Sequence, residues 1–244
     1  GRRGHPRRAA GPGARHKVAI NAHEPFKDTG LRRTYPNIIS REGQRGMEYS
    51  AWGNPSNPPE HVPNLVFTRL LAGPMDYTPG IFGMETRSPQ GVQTTWAKQL
   101  AYYVVIYSPI QMAADLLVNY EANPGPFQFI KDVPVDWEES RTLAAELGDY
   151  VVIARKERGS DIWALGAVTD ENPRVLTADL DFLDAGRRYR AEIYRDGPDA
   201  DYKGRREDIV IEQREVSAAD TLTLALAPGG GQAIRFVPVG RARR

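Results

Sequence analysis

The sequence predicts an α/β first part, read as a portion of a barrel of parallel strands and helices, followed by an all-β antiparallel sandwich. Three observations lead there. The apolar, β-branched run KVAIN at 17–21 ends in Asn21-Ala22-His23-Glu24-Pro25, the pattern of a buried strand feeding a loop. Helical stretches then alternate with loops rich in glycine and proline. From about Asp149 the chain changes to seven short alternating runs separated by turn residues.

Within the first part, Pro25 stops the strand and biases Glu24 towards extended backbone. The stretch to Glu60 has little periodicity but holds Tyr35, Trp52 and many charges, which reads as a functional loop region. Helices are expected over 64–72, with Leu65, Leu70 and Leu71 inward, over 92–108, with a passage into a strand as the alternative and Pro109 breaking the pattern, and over 111–118. The expected strands of the second part are 150–156, 163–169, 175–180, 189–195, 208–216, 221–226 and 232–237, punctuated by turns such as Asn172-Pro173 and Gly229-Gly230-Gly231. This divides the chain into an N-terminal arm at 1–17, a barrel portion at 18–140 and a sandwich at 141–240.

Composition bounds the chemistry. With 244 residues the chain can bury a real core, and 32 basic against 31 acidic side chains leave a net charge of +1. That balance gives no global case for nucleic-acid or membrane partners. No apolar run approaches the ~18 residues of a membrane span. There is no cysteine, so disulfides and thiolate metal sites are excluded, and a metal would need oxygen or imidazole ligands. The first seventeen residues carry five Arg, one Lys and no acid, without the apolar stretch of a signal peptide. They read as a disordered or truncation-derived end, with an arm for an anionic partner as the alternative.

Glu24, Glu42 and Glu48 fall in the first loop region. Glu42 and Glu48 would point about 240° apart on one helix, so they converge only if Gly43 and Gly46 let the backbone turn. Glu24 sits at the carboxyl end of the expected strand, where barrel enzymes keep catalytic groups. Several carboxylates without cysteine suit a hard cation such as calcium. A carboxylate pair about a scissile bond also suits a glycosidase. Equally, loop glutamates pair with arginine, and Arg32, Arg33, Arg41 and Arg45 are at hand.

The motifs NAHEPFKDTGLRRTYPN (21–37), SREGQRGMEYSAWG (40–53), FTRLLAGPMDYTPGIF (67–82), KQLAYYVVIYSPIQMAADL (98–116) and FQFIKDVPVDWEESR (127–141) follow in one order. GDYVVIARK (148–156) and YRAEIYRDGPDADY (189–202) continue it. Together they closely resemble glycoside hydrolase family 97. The resemblance implies the last part of a (β/α)8 barrel plus a C-terminal β-sandwich, with an N-terminal sandwich and earlier barrel strands lying upstream. It implies Glu48 as general acid, Glu24 as general base, His23 as a substrate-binding residue, and Glu24, Glu42 and Glu48 as calcium ligands. It also implies an α-linked oligosaccharide as substrate and a periplasmic or secreted bacterial full-length protein. Glutamate after the motif histidine, as in His23-Glu24, favours the inverting, α-glucosidase-like branch. The retaining α-galactosidase branch, and a non-catalytic carbohydrate-binding module, are the competing expectations. Asp76, Tyr77 and Trp52 are candidates to line a sugar site or simply to pack. Trp137 and Trp163 are expected in the core, and His61 at the surface.

Overall fold

The computed structural model describes residues 5–23, 29–83 and 85–240, with side chains from residue 9 onward. The C-terminal part is built on a six-stranded antiparallel sheet in the order β3-β4-β5-β10-β7-β8. Its strands are β3 (Trp137–Glu146), β4 (Tyr150–Glu157), β5 (Trp163–Thr169), β7 (Arg188–Asp196), β8 (Ile209–Ser217) and β10 (Gly231–Pro238). A second, two-stranded sheet pairs β6 (Arg174–Asp179) with β9 (Thr221–Leu226) and completes the sandwich. The seven expected strands are therefore all present, five of them with ends shifted by one residue. The eighth, β3, runs through the expected boundary at 140/141, so the sheet begins at Trp137. Its mostly polar, exposed residues, a property of an edge strand, hid it from pattern reading.

The large sheet is buried on both faces at its centre, and every residue of β5 is buried. Alternation sorts the side chains. Val152, Ala154, Leu165, Ala167, Ile193 and Phe236 enter the sandwich core with Leu222, Leu224 and Leu226 of β9. Val151, Ile153, Ala164, Val168, Tyr194 and Ala233 face the other way, against α5 (Trp96–Val105). That helix is buried on all sides except at Trp96, because it lies between the sandwich and the barrel portion. Gly166 sits where it crosses β5. A Cβ there would lie 2.8 Å from the Ala101 carbonyl oxygen and 2.9 Å from Val104 Cβ.

Polar groups tie the two parts together. Arg155 of β4 donates from Nε to Val104 O at 2.6 Å and from Nη2 to Val105 O at 3.2 Å, satisfying carbonyls at the end of α5. Lys98, fully buried on α5, donates from Nζ to Pro59 O at 2.7 Å and Thr169 O at 2.5 Å. Burial lowers its pKa to about 7, against the pull of Asp196 and Asp170.

In the N-terminal part, β1 (Ile20–Ala22) pairs in parallel with β2 (Ile38–Arg41). Arg41 bridges in parallel to Met75, and Met75 N donates to Tyr107 O at 3.0 Å. Successive extended segments thus lie side by side in chain order, as in part of a parallel barrel. Around them stand α2 (Leu31–Thr34), α3 (Tyr49–Trp52), α4 (His61–Phe67), α6 (Leu117–Ala122) and α7 (Pro124–Asp132).

Four expectations here need correction. Residues 5–15 form α1 (His5–Arg15) in place of a disordered arm, with Ala10 buried against Leu31 and Ile38. Packing overrides the low helix propensity of Gly11-Pro12-Gly13. The 64–72 helix splits into α4 and a 3-10 turn at Arg69–Ala72, which leaves Leu71 exposed. The 92–108 helix is shorter, because Thr95 caps it by accepting from Lys98 N and Ile106 turns extended. Residues 111–116 are not helical. Asp115 there accepts from Phe82 N and Gly83 N at 2.6 and 2.8 Å, and helix starts only at Leu117. Among the described residues no helix is long and apolar enough to cross a membrane.

Candidate active site

Three acidic or basic side chains follow directly on neighbouring parallel segments: His23 after β1, Glu42 after β2, and Asp76 after Met75. They therefore share the carboxyl end of this part of the barrel. Asp76 is 3% exposed. Its Oδ2 accepts from Asn21 Nδ2 at 2.6 Å and lies 2.7 Å from His23 Nε2, while Oδ1 is buried without a hydrogen-bond partner. Gln44 Nε2 donates to the Asp76 carbonyl at 2.6 Å. The Asp76 hydrogen bond is the main cause of a raised His23 pKa, and the charges of Glu42 and Glu48 add to it. Both glutamates thus lie in the same electrostatic neighbourhood as the histidine.

Glu48 closes the other side of this cluster. The backbone after Glu42 doubles back through Gly43, at φ 74°, and Gly46, as expected from the sequence. Met47 N donates to Tyr77 O at 2.8 Å, which brings Glu48 beside the 76–78 loop. Thr78 Oγ1 donates to Glu48 Oε2 at 2.5 Å. Glu24 lies outside the described residues, so its role rests on sequence alone.

Several supporting residues escaped sequence reading. Arg69 donates to the carbonyl oxygens of Arg41, Glu42, Gly73 and Pro74 at 2.9–3.1 Å, bracketing the end of β2 to the segment that delivers Asp76. Asn57 Nδ2 holds Gly46 O at 2.7 Å. His61, expected at the surface, is half-buried with Nε2 2.9 Å from Arg45 O, and burial lowers its pKa. Nothing in the local pattern marks these residues. Their partners are 11 to 28 positions away in the chain, apart from the nearby carbonyls that Arg69 also reaches. Trp52 is 60% exposed and meets Tyr49 edge-on at 6.3 Å. Trp163 is in the sandwich core against Phe182, and Trp137 is buried in the cluster beneath the large sheet.

Among the described residues no three His, Asp or Glu side chains converge closely enough to hold a metal ion. Glu42 and Glu48 are oxygen donors of the kind calcium takes, yet they make no closed cage by themselves.

Residues 136–237 match the model of the glycosyl-hydrolase 97 C-terminal, oligomerisation domain, and residues 4–44 match that of glycoside hydrolase 97. A family 97 enzyme from Pseudoalteromonas sp. strain K8, solved in complex with panose, superposes with a TM-score of 0.88 at 57% identity, covering 93% of this chain. The chain belongs to glycoside hydrolase family 97. The same enzyme has been solved with acarbose. Among curated family relatives, a retaining α-galactosidase of Bacteroides thetaiotaomicron is 36% identical over 94% of the chain, and a probable retaining α-galactosidase of Streptomyces bingchenggensis is 30% identical over 89%. The chain spans about a third of the length of these relatives, 35% and 31%, and 36% of the solved family 97 enzyme. The match over 4–44 contains α1, β1, β2, His23 and Glu42, and the match over 136–237 begins one residue before β3.

Proposed function

We propose that this chain supplies the acid-bearing side of an α-glycosidase active site acting on α-linked glucose, completed by upstream parts of a full-length family 97 enzyme. The observation that carries the reading is the convergence of His23, Glu42, Glu48 and Asp76 at one end of the parallel segments. Support for a glucoside comes from the similar solved enzyme, whose ligands include panose. In this reading Glu48 protonates the glycosidic oxygen as the C1–O bond breaks, and His23, oriented by Asp76, holds a sugar hydroxyl. Glu24 follows the histidine and is assigned as the base that takes a proton from water attacking the opposite face, which inverts the anomeric centre. Glu42 and Glu48, with Glu24 and ligands from upstream, would hold calcium, which when bound orients the carboxylates and favours the ionised form that the base Glu24 needs.

A retaining α-galactosidase is the second reading, favoured by the names of the two curated relatives. Proton NMR of the first sugar released by the full-length enzyme separates the two. The proposal expects β-glucose first and loss of turnover in chelator. α-Glucose first, or cleavage of α-galactosides alone, would overturn it.

A further inference from the structure

We infer that Thr78, with Gly46, is a positioning device for the Glu48 carboxyl, an inference that rests on the reading of Glu48 as the acid. Among the described residues Thr78 is one of two non-glycine residues with positive φ, at 57°. Its sequence opposes that conformation twice. A β-branched side chain crowds left-handed backbone. The residue before a proline is steered to extended backbone, and Pro79 follows. Such a conformation persists only where the surroundings over-determine it.

The strained backbone delivers the hydroxyl. Thr78 Oγ1 lies 2.5 Å from Glu48 Oε2 and 2.6 Å from Tyr77 O, so its single proton is placed to serve either the carboxylate or the backbone carbonyl. Tyr77 is itself fixed, 1% exposed and bonded through its carbonyl to Met47 N. Opposite Thr78, the carboxyl folds back over Gly46. A Cβ on Gly46 would overlap Oε2 and lie 2.8 Å from both Cδ and Oε1. Asn57, buried, anchors the Gly46 carbonyl from behind. One carboxyl oxygen is thereby engaged by Thr78, and the other, Oε1, is left to serve the leaving group. In this reading Thr78 acts through Glu48.

The test uses the full-length enzyme and two α-glucosides, a disaccharide that needs a proton on its leaving oxygen and a 2,4-dinitrophenyl glycoside that does not. Thr78→Val keeps the branched shape and removes the hydroxyl. It should lower kcat on the disaccharide about 100-fold and on the dinitrophenyl glycoside less than about 5-fold, as loss of acid positioning does. Thr78→Ser should restore most of the disaccharide rate. Gly46→Ala should give the same split in a folded protein, because the three atoms nearest the added methyl all belong to the Glu48 carboxyl, which must shift from its place. It carries the test by itself if Thr78→Val does not fold. An equal loss on both substrates, or none, while Glu48→Gln shows the split, overturns the positioning role and spares the assignment of Glu48. Absence of the split in Glu48→Gln overturns both.

Discussion

Gly166→Ala probes the junction between the sandwich and the part that carries the candidate site. The added methyl would lie 2.8 Å from Ala101 O, 2.9 Å from Val104 Cβ and 3.0 Å from Val105 Cγ2. The first of these is backbone of a helix buried on nearly every side, so it cannot simply swing away. The substitution also removes freedom from the unfolded chain, which stabilises by about 0.4–1 kcal/mol wherever it occurs. Gly204→Ala supplies that contribution alone, since Gly204 is exposed, has no positive φ and meets nothing within 4 Å. The difference between the two variants therefore isolates the native-state clash, which overpacking places at about 1–3 kcal/mol. Hydrogen exchange of amides in α5 and β5 reads it locally, whatever else the full-length protein contains. Exchange in Gly166→Ala should be about 5- to 150-fold faster than in Gly204→Ala. Equal protection in the two would refute the close helix–strand contact.

Other expectations follow from the same packing. Because the folded Lys98 pKa is lowered to about 7 from 10.5, the unfolded chain binds the extra proton between those values, and folding stability rises with pH across that window. Lys98→Met should lose this slope, of up to about 1.4 kcal/mol per pH unit, in exchange or denaturation at several pH values. An unchanged slope would show that Lys98 is not buried as a base. Asp76→Asn should lower the His23 pKa in an NMR titration of the ring, since the Asp76 carboxylate is the main group raising it. Arg69→Lys offers fewer donors to four carbonyls and should cost about 1–3 kcal/mol of local stability, seen as faster exchange over 41–47.

The two-part architecture was legible because each part writes a different period into the chain. All seven alternating runs became strands, two of them, β5 and β9, with the expected ends. The failures share one cause, which is that local pattern carries no information about what packs alongside. β3 is polar because it is an edge, and α1 contains Gly-Pro-Gly yet folds because Ala10 finds Leu31 and Ile38.

The same division holds at the site. The sequence by itself placed His23-Glu24 after a strand and allowed Glu48 to fold back, since glycine spacing and strand termini are local properties, whereas β2, which delivers Glu42, lies in a stretch that reads as loop. Only the tertiary structure decided that Asp76 orients His23, that Arg69 brackets two strand ends, and that Thr78 adopts a backbone its own side chain and its proline neighbour disfavour. Those contacts join residues 28 to 53 positions apart, and Thr78 reaches Glu48 across 30. Hydrogen bonds of 2.5–2.9 Å select one arrangement out of many that the same residues allow, and that selection is made by the packed barrel, not by the local chain.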